Sequence, residues 1–110
     1  IQYRAATQDT VVVESQTTPV GIFEELPVPC GTTRSSYEDG DRIVIFTDGL
    51  IDARPPHGDT FEMEGLQAVI EQHPELDGAA LNAALFEAAT AYAEGSLGDD
   101  ALVMCATLRR

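Results

Sequence analysis

Apolar and polar positions change rhythm several times along the chain. Ile1-Gln2-Tyr3-Arg4-Ala5 alternates and predicts a strand over residues 1–5. Val11-Val12-Val13 is strongly β-prone and predicts a second strand over 10–14. Thr7-Gln8-Asp9 makes a short polar link between them, so a hairpin is the simplest arrangement. Residues 15–32 hold three prolines and two glycines around Val20-Gly21-Ile22-Phe23, which predicts an ordered but irregular connection. A short strand is expected over 33–37, then a turn at Glu38-Asp39-Gly40-Asp41. Arg42-Ile43-Val44-Ile45-Phe46-Thr47 is the clearest strand. Its four consecutive apolar residues predict a central strand buried on both faces.

The rhythm then becomes helical. After a Pro/Gly loop over 55–60, Leu66, Val69, Ile70 and His73 fall on one stripe of a helix over 63–73. Pro74 stops it. A second helix is predicted over 78–93, with Asp77 as its N-cap and Gly95 as its end. Its buried face is Leu81, Leu85, Ala88, Ala89 and Tyr92. Leu102–Leu108 forms a last strand. The order β-β-(β)-β-α-α-β does not interleave helices singly with strands. It predicts an α+β fold, a mostly antiparallel sheet with two helices packed on one face.

Composition narrows the function classes. The 110 residues make one domain or part of one, with 44% hydrophobic and 23% charged residues. The net charge is −13, and all six basic residues are arginine. Such a surface repels a phosphate backbone and anionic lipid, so nucleic-acid and membrane partners are disfavoured. It suits a cation-binding protein and an ordinary cytoplasmic one equally. No apolar run approaches the roughly 18 residues of a membrane span. Cys30 lies in a Pro-rich loop and Cys105 in an apolar run, so two free thiols and a reducing compartment are expected. His57 is expected to be exposed and His73 to pack; neither pairs with a nucleophile. Glu24-Glu25 and the Glu62–Glu64 pair are expected to be solvated.

Two acidic segments could carry chemistry. In Thr47-Asp48-Gly49-Leu50 an apolar strand delivers an aspartate at its carboxyl end, and glycine lets the backbone turn and a ligand approach. In Gly98-Asp99-Asp100 two acids stand where the last strand begins. Each is equally consistent with a solvated turn. Hard cations such as Mg²⁺ and Mn²⁺ take oxygen ligands and keep several waters, so a few carboxylates can hold one. The two segments meet only if their strands are antiparallel neighbours.

The run from Gly40 to Arg54, Gly-Asp-Arg, apolar strand, Thr-Asp-Gly, then Asp52-Ala53-Arg54, resembles a segment of the bacterial sporulation- and stress-regulating phosphatases. These belong to the metal-dependent protein phosphatase (PPM, type 2C) superfamily. Pro19-Val20-Gly21, Gly58 with Phe61, and Asp99-Asp100 followed by Val103 extend the resemblance over residues 19–110. It implies the carboxyl-terminal half of an α-β-β-α sandwich with a binuclear Mn²⁺ or Mg²⁺ centre. It implies metal-ligand roles for Asp48 and Asp99, a role beside them for Asp100, and leaves Gly49 and Asp52 without an assigned one. The implied activity is hydrolysis of phosphoserine or phosphothreonine on a regulatory protein, such as an anti-anti-sigma factor, by a metal-activated water.

The family's other metal motifs lie upstream and are not in this sequence. Residues 1–110 are therefore expected to be one portion of a single phosphatase domain whose amino-terminal half is a partner. By themselves they are expected to bind metal weakly, to be inactive, and to expose sheet edges that invite self-association. The competing reading is a phosphatase-like binding module without catalysis. An acidic structural domain with no site is a third. A haloacid-dehalogenase chemistry lacks its nucleophile, because Phe46 stands two residues before Asp48. A phospho-receiver domain lacks its lysine.

Overall fold

The computed structural model describes residues 1–16, 18–25, 31–76 and 78–110. Four strands form one antiparallel sheet: β1 (Gln2–Arg4), β2 (Asp9–Val11), β3 (Arg42–Phe46) and β4 (Val103–Thr107), in the spatial order β2-β1-β3-β4. Between β3 and β4 come α1 (Asp48–Ile51), α2 (Glu62–Gln72) and α3 (Gly78–Tyr92). The fold is α+β, with helices against the sheet, as the sequence predicts. The expected Asp77 cap and the Cys30 loop lie outside the described residues.

The β1–β2 hairpin turns at Gln8, whose N–H donates to Arg4 O at 2.8 Å. Arg42↔Thr107 through Phe46↔Val103 pair along the full length of β3 and β4. Alternation sends Tyr3, Arg42 and Val44 toward the helices, where all three are buried. Leu66, Ile70, Leu81, Leu85 and Ala89 meet them and are fully buried. Burying each of the larger side chains contributes about 1.5–3 kcal/mol.

Three expectations are corrected. β3 is central but buried on one face only: Ile45 pairs with Met104, and each is 53% exposed. The helices cover one side of the sheet; on the other, Ser35 and Ser36 cover Gln2, while the β3–β4 end around Ile45 and Met104 is open. Residues 33–37 form no strand, since Gln2 on β1 is occupied there by side-chain bonds with Ser35 and Ser36 O instead of a ladder. Tyr92 is 41% exposed, yet its ring lies 5.3 Å from that of Phe61 and its hydroxyl donates to Asp59 O at 3.2 Å. Among the histidines, His57 is exposed, and His73 packs only in part, with Nδ1 3.3 Å from Glu75 Oε1.

Two adjacent polar residues are built into the interior. Asp41 is buried and accepts from Ala5 N–H at 2.9 Å, Glu38 N–H at 3.1 Å and Gln2 Nε2 at 3.3 Å. Burial alone would raise its pKa. The hydrogen bonds from Ala5, Glu38 and Gln2 outweigh that and hold it below the ordinary carboxylate value. Arg42 lies 3.9 Å from the Tyr3 ring centroid and donates through Nη1 to His73 O at 3.2 Å and to Leu76 O. A buried cation thus meets the carbonyl end of α2, where the helix dipole favours it. α3 ends at a left-handed Gly95 (φ +120°), whose N–H donates to Thr90 O at 3.0 Å.

Among the described residues no helix is long and apolar enough to cross a membrane. Cys105 is half-buried on the helix-facing side of β4.

Candidate functional site

β3 delivers the chain to Thr47, the N-cap of α1. Thr47 has extended backbone and makes no side-chain cap to its own helix. Its hydroxyl oxygen instead accepts Leu102 N–H at 2.9 Å, and its N–H donates to Leu102 O at 3.0 Å. The antiparallel ladder is thereby carried one pair past Phe46↔Val103. The end of β3 and the start of β4 are fastened together at the point where Asp48 and Asp99-Asp100 leave the sheet.

Gly49 makes the approach closer still. A Cβ built on it would collide with the Asp100 carbonyl oxygen, lie 2.8 Å from that carbonyl's carbon, closer than real side chains come, and crowd Ala101 Cα at 3.1 Å. Only glycine lets the two backbones touch here. Gly49 is buried at this contact.

Asp48 opens α1 and is exposed. Asp52 is the C-cap of the same short helix, its N–H donating to Asp48 O at 2.9 Å. At a spacing of four residues the two carboxylates belong to one helical face. Neither has a hydrogen-bond or ion-pair partner for its carboxylate among the described residues. Asp99 is exposed, and its Oδ1 accepts Asp100 N–H at 2.7 Å. That bond ties the Asp99 side chain to its own turn through Oδ1 and leaves Oδ2 without a hydrogen-bond partner among the described residues.

A cavity of about 670 Å³ opens beside these segments. Gly49, Asp52, Arg54, Ser96 and Asp99 border it; Asp48 stands outside its lining. The structure therefore brings Asp52 and Asp99 to one cavity, with Asp48 on the adjoining helix start and Asp100 at the backbone contact. Among the described residues no three His, Cys, Asp or Glu side chains group so as to hold a metal ion.

Sequence reasoning reads Asp48-Gly49 as a turn and misses α1. The spacing of Asp48 and Asp52 is the signal that could find it. Arg54 lies on the cavity rim, and the Asp-Ala-Arg resemblance gives it no role.

No curated protein and no solved structure gives a significant match to this chain. The sequence pattern of Stage II sporulation protein E (SpoIIE) matches residues 1–109. With its antiparallel sheet, its Thr-Asp-Gly strand end and this match over nearly its whole length, the chain belongs to the SpoIIE family of sporulation phosphatase-type domains.

Proposed function

We propose that this chain supplies Asp48 and Asp99 to the Mn²⁺ or Mg²⁺ centre of a protein serine/threonine phosphatase. Its substrate is a phosphorylated regulatory protein of the anti-anti-sigma type. The observation that carries this reading is the pair of hydrogen bonds between Thr47 and Leu102, which fastens the two acid-bearing segments side by side. Asp52 and Asp100 are neighbours of these two in the chain and would accept from metal-bound water. A bound divalent ion would lower the pKa of a water and neutralise phosphate charge.

The incomplete acid set supports a second element of the proposal: the remaining ligands come from chain outside residues 1–110. The open sheet face supports it too. Ile45, Met104 and Leu102 are each more than half exposed on that face. An apolar surface of this kind suits a second sheet packed against it. A phosphatase-like binding module without catalysis is the second reading, and the same incomplete acid set is the observation in its favour.

The test compares residues 1–110 alone with the chain extended upstream, on a phosphoserine peptide with Mn²⁺. The extended chain is expected to turn over, and the 110 residues alone are not. Asp48→Asn or Asp99→Asn in the extended chain should lower kcat about a hundredfold or more. Undiminished turnover in both variants would contradict the ligand assignment. An extended chain that binds the phosphoprotein without turnover would favour the binding module.

A further inference from the structure

The six arginines are the chain's only permanent cations against 19 acids. Arg4 pairs with Asp9 at 2.9 Å, Arg42 is buried on Tyr3, and Arg110 donates to Tyr37 O at 3.2 Å. Arg109 is engaged as well. Arg34 and Arg54 alone have no hydrogen bond or ion pair among the described residues. Of these two, Arg54 borders the cavity that also holds Asp52 and Asp99.

The position of Arg54 is built rather than loose. Ala53 before it is 1% exposed, and its carbonyl accepts Phe61 N–H at 2.7 Å. Pro55 after it confines Arg54 to extended backbone. The loop returns to α3 through the Phe61–Tyr92 ring contact and the Tyr92 hydroxyl on Asp59 O. Both ends of the segment carrying Arg54 are thus tied to the core. The backbone there sets Arg54 on the rim of a cavity large enough for a phosphorylated side chain.

Arg54 is exposed and has no carboxylate paired with it among the described residues, so its guanidinium is free to meet an incoming anion. A phosphate approaching Asp52 and Asp99 meets like charge and needs a cation to meet it. The planar guanidinium matches two phosphate oxygens at once. Ser96 and the Gly98 backbone on the same rim can add neutral donors.

We propose that Arg54 is the phosphate-binding residue of this cavity, holding the phosphoryl oxygens of a phosphoserine or phosphothreonine side chain. The proposal rests on the phosphatase reading of the neighbouring acids and names how that site takes its substrate.

The experiment titrates the ¹⁵N-labelled 110-residue chain with O-phosphoserine, with and without Mg²⁺, following backbone amides and arginine Nε–H signals. The expected result is a saturating shift of the Arg54 Nε–H signal. Arg54→Gln should weaken binding about tenfold or more, and Arg54→Lys should recover part of it, because the charge remains and the fork is lost. Arg34→Gln, away from the cavity, serves as the control and should change binding by less than about twofold. Arg54 is exposed, so Arg54→Gln should keep the amide dispersion of the parent. Equal binding by the parent and Arg54→Gln, or no binding by the parent in either condition, overturns the proposal. Arg54-dependent binding with no Mg²⁺ response at Gly49 or Asp99 supports the phosphate site and counts against the metal reading alone.

Discussion

Thr47 and Leu102 exchange two hydrogen bonds across the ends of β3 and β4, one of them through the Thr47 hydroxyl. A threonine at a helix N-cap ordinarily turns its oxygen onto its own helix. Here the oxygen is spent on the neighbouring strand, and α1 begins without a side-chain cap. The helix gives up some stability, and the two acidic segments gain a fixed separation. Thr47→Val keeps the shape and removes the acceptor. Leu102 is 59% exposed, so water can take over its N–H and the cost should be only about 0.5–1 kcal/mol. Urea unfolding should register that small loss. Mn²⁺ affinity, measured by calorimetry, should fall in parallel, because one of the two bonds that fasten the acidic segments is lost and only the main-chain one remains.

Gly49→Ala should be harsher. The new methyl would press on the Asp100 carbonyl carbon and Ala101 Cα, both main-chain atoms that cannot swing aside. Overpacking of this kind costs about 1–3 kcal/mol. Chemical denaturation should show it, and Gly49→Ala should also separate the two acidic segments and weaken metal binding.

Both consequences expose what the sequence could and could not say. The Ile43–Phe46 run and the acid after it made β3 and Asp48 legible, since an apolar run of strand length ending in Asp-Gly has few alternatives. Antiparallel pairing with β4 followed from the element order. The same run misled on burial. A continuous apolar strand reads as covered on both faces, yet Ile45 is 53% exposed, because the helices pack only against the side of the sheet that carries Val44. The α1 turn was invisible because four residues carry too little periodicity. Asp41 and Arg42 look like surface charges beside a turn; only tertiary packing shows that one collects two loops and the other caps α2.

Asp41 carries a pH dependence. Its pKa is held below the ordinary carboxylate value, so the folded state binds its proton less readily than the unfolded chain. The stability it contributes is fully present above the ordinary value, about 3.9, and is lost as pH falls through the lower folded value. Asp41→Asn should cost about 1–3 kcal/mol near neutral pH. The gap between the parent and Asp41→Asn, measured by urea unfolding from pH about 6 downward, should narrow with acidification. A constant gap would assign the effect to packing instead of charge.

Arg42→Ala should be among the most damaging single changes. It removes the cation from the Tyr3 ring and leaves His73 O and Leu76 O short of a donor. Charged hydrogen bonds and a desolvated cation–π contact together suggest a loss of about 2–4 kcal/mol. Thermal unfolding would measure it. Arg42→Lys should recover less than half, since an ammonium cannot stack on the ring and reach both carbonyls together.

The central claim is that Asp48 and Asp99 share one cation. Paramagnetic broadening tests it most directly: trace Mn²⁺ is added to the ¹⁵N-labelled chain and the amide signals are followed. The account predicts that Gly49, Asp52 and residues 98–101 broaden first, and that either Asp48→Asn or Asp99→Asn abolishes this selectivity. Broadening spread evenly over the acidic surface, or selective broadening that survives both substitutions, would contradict it.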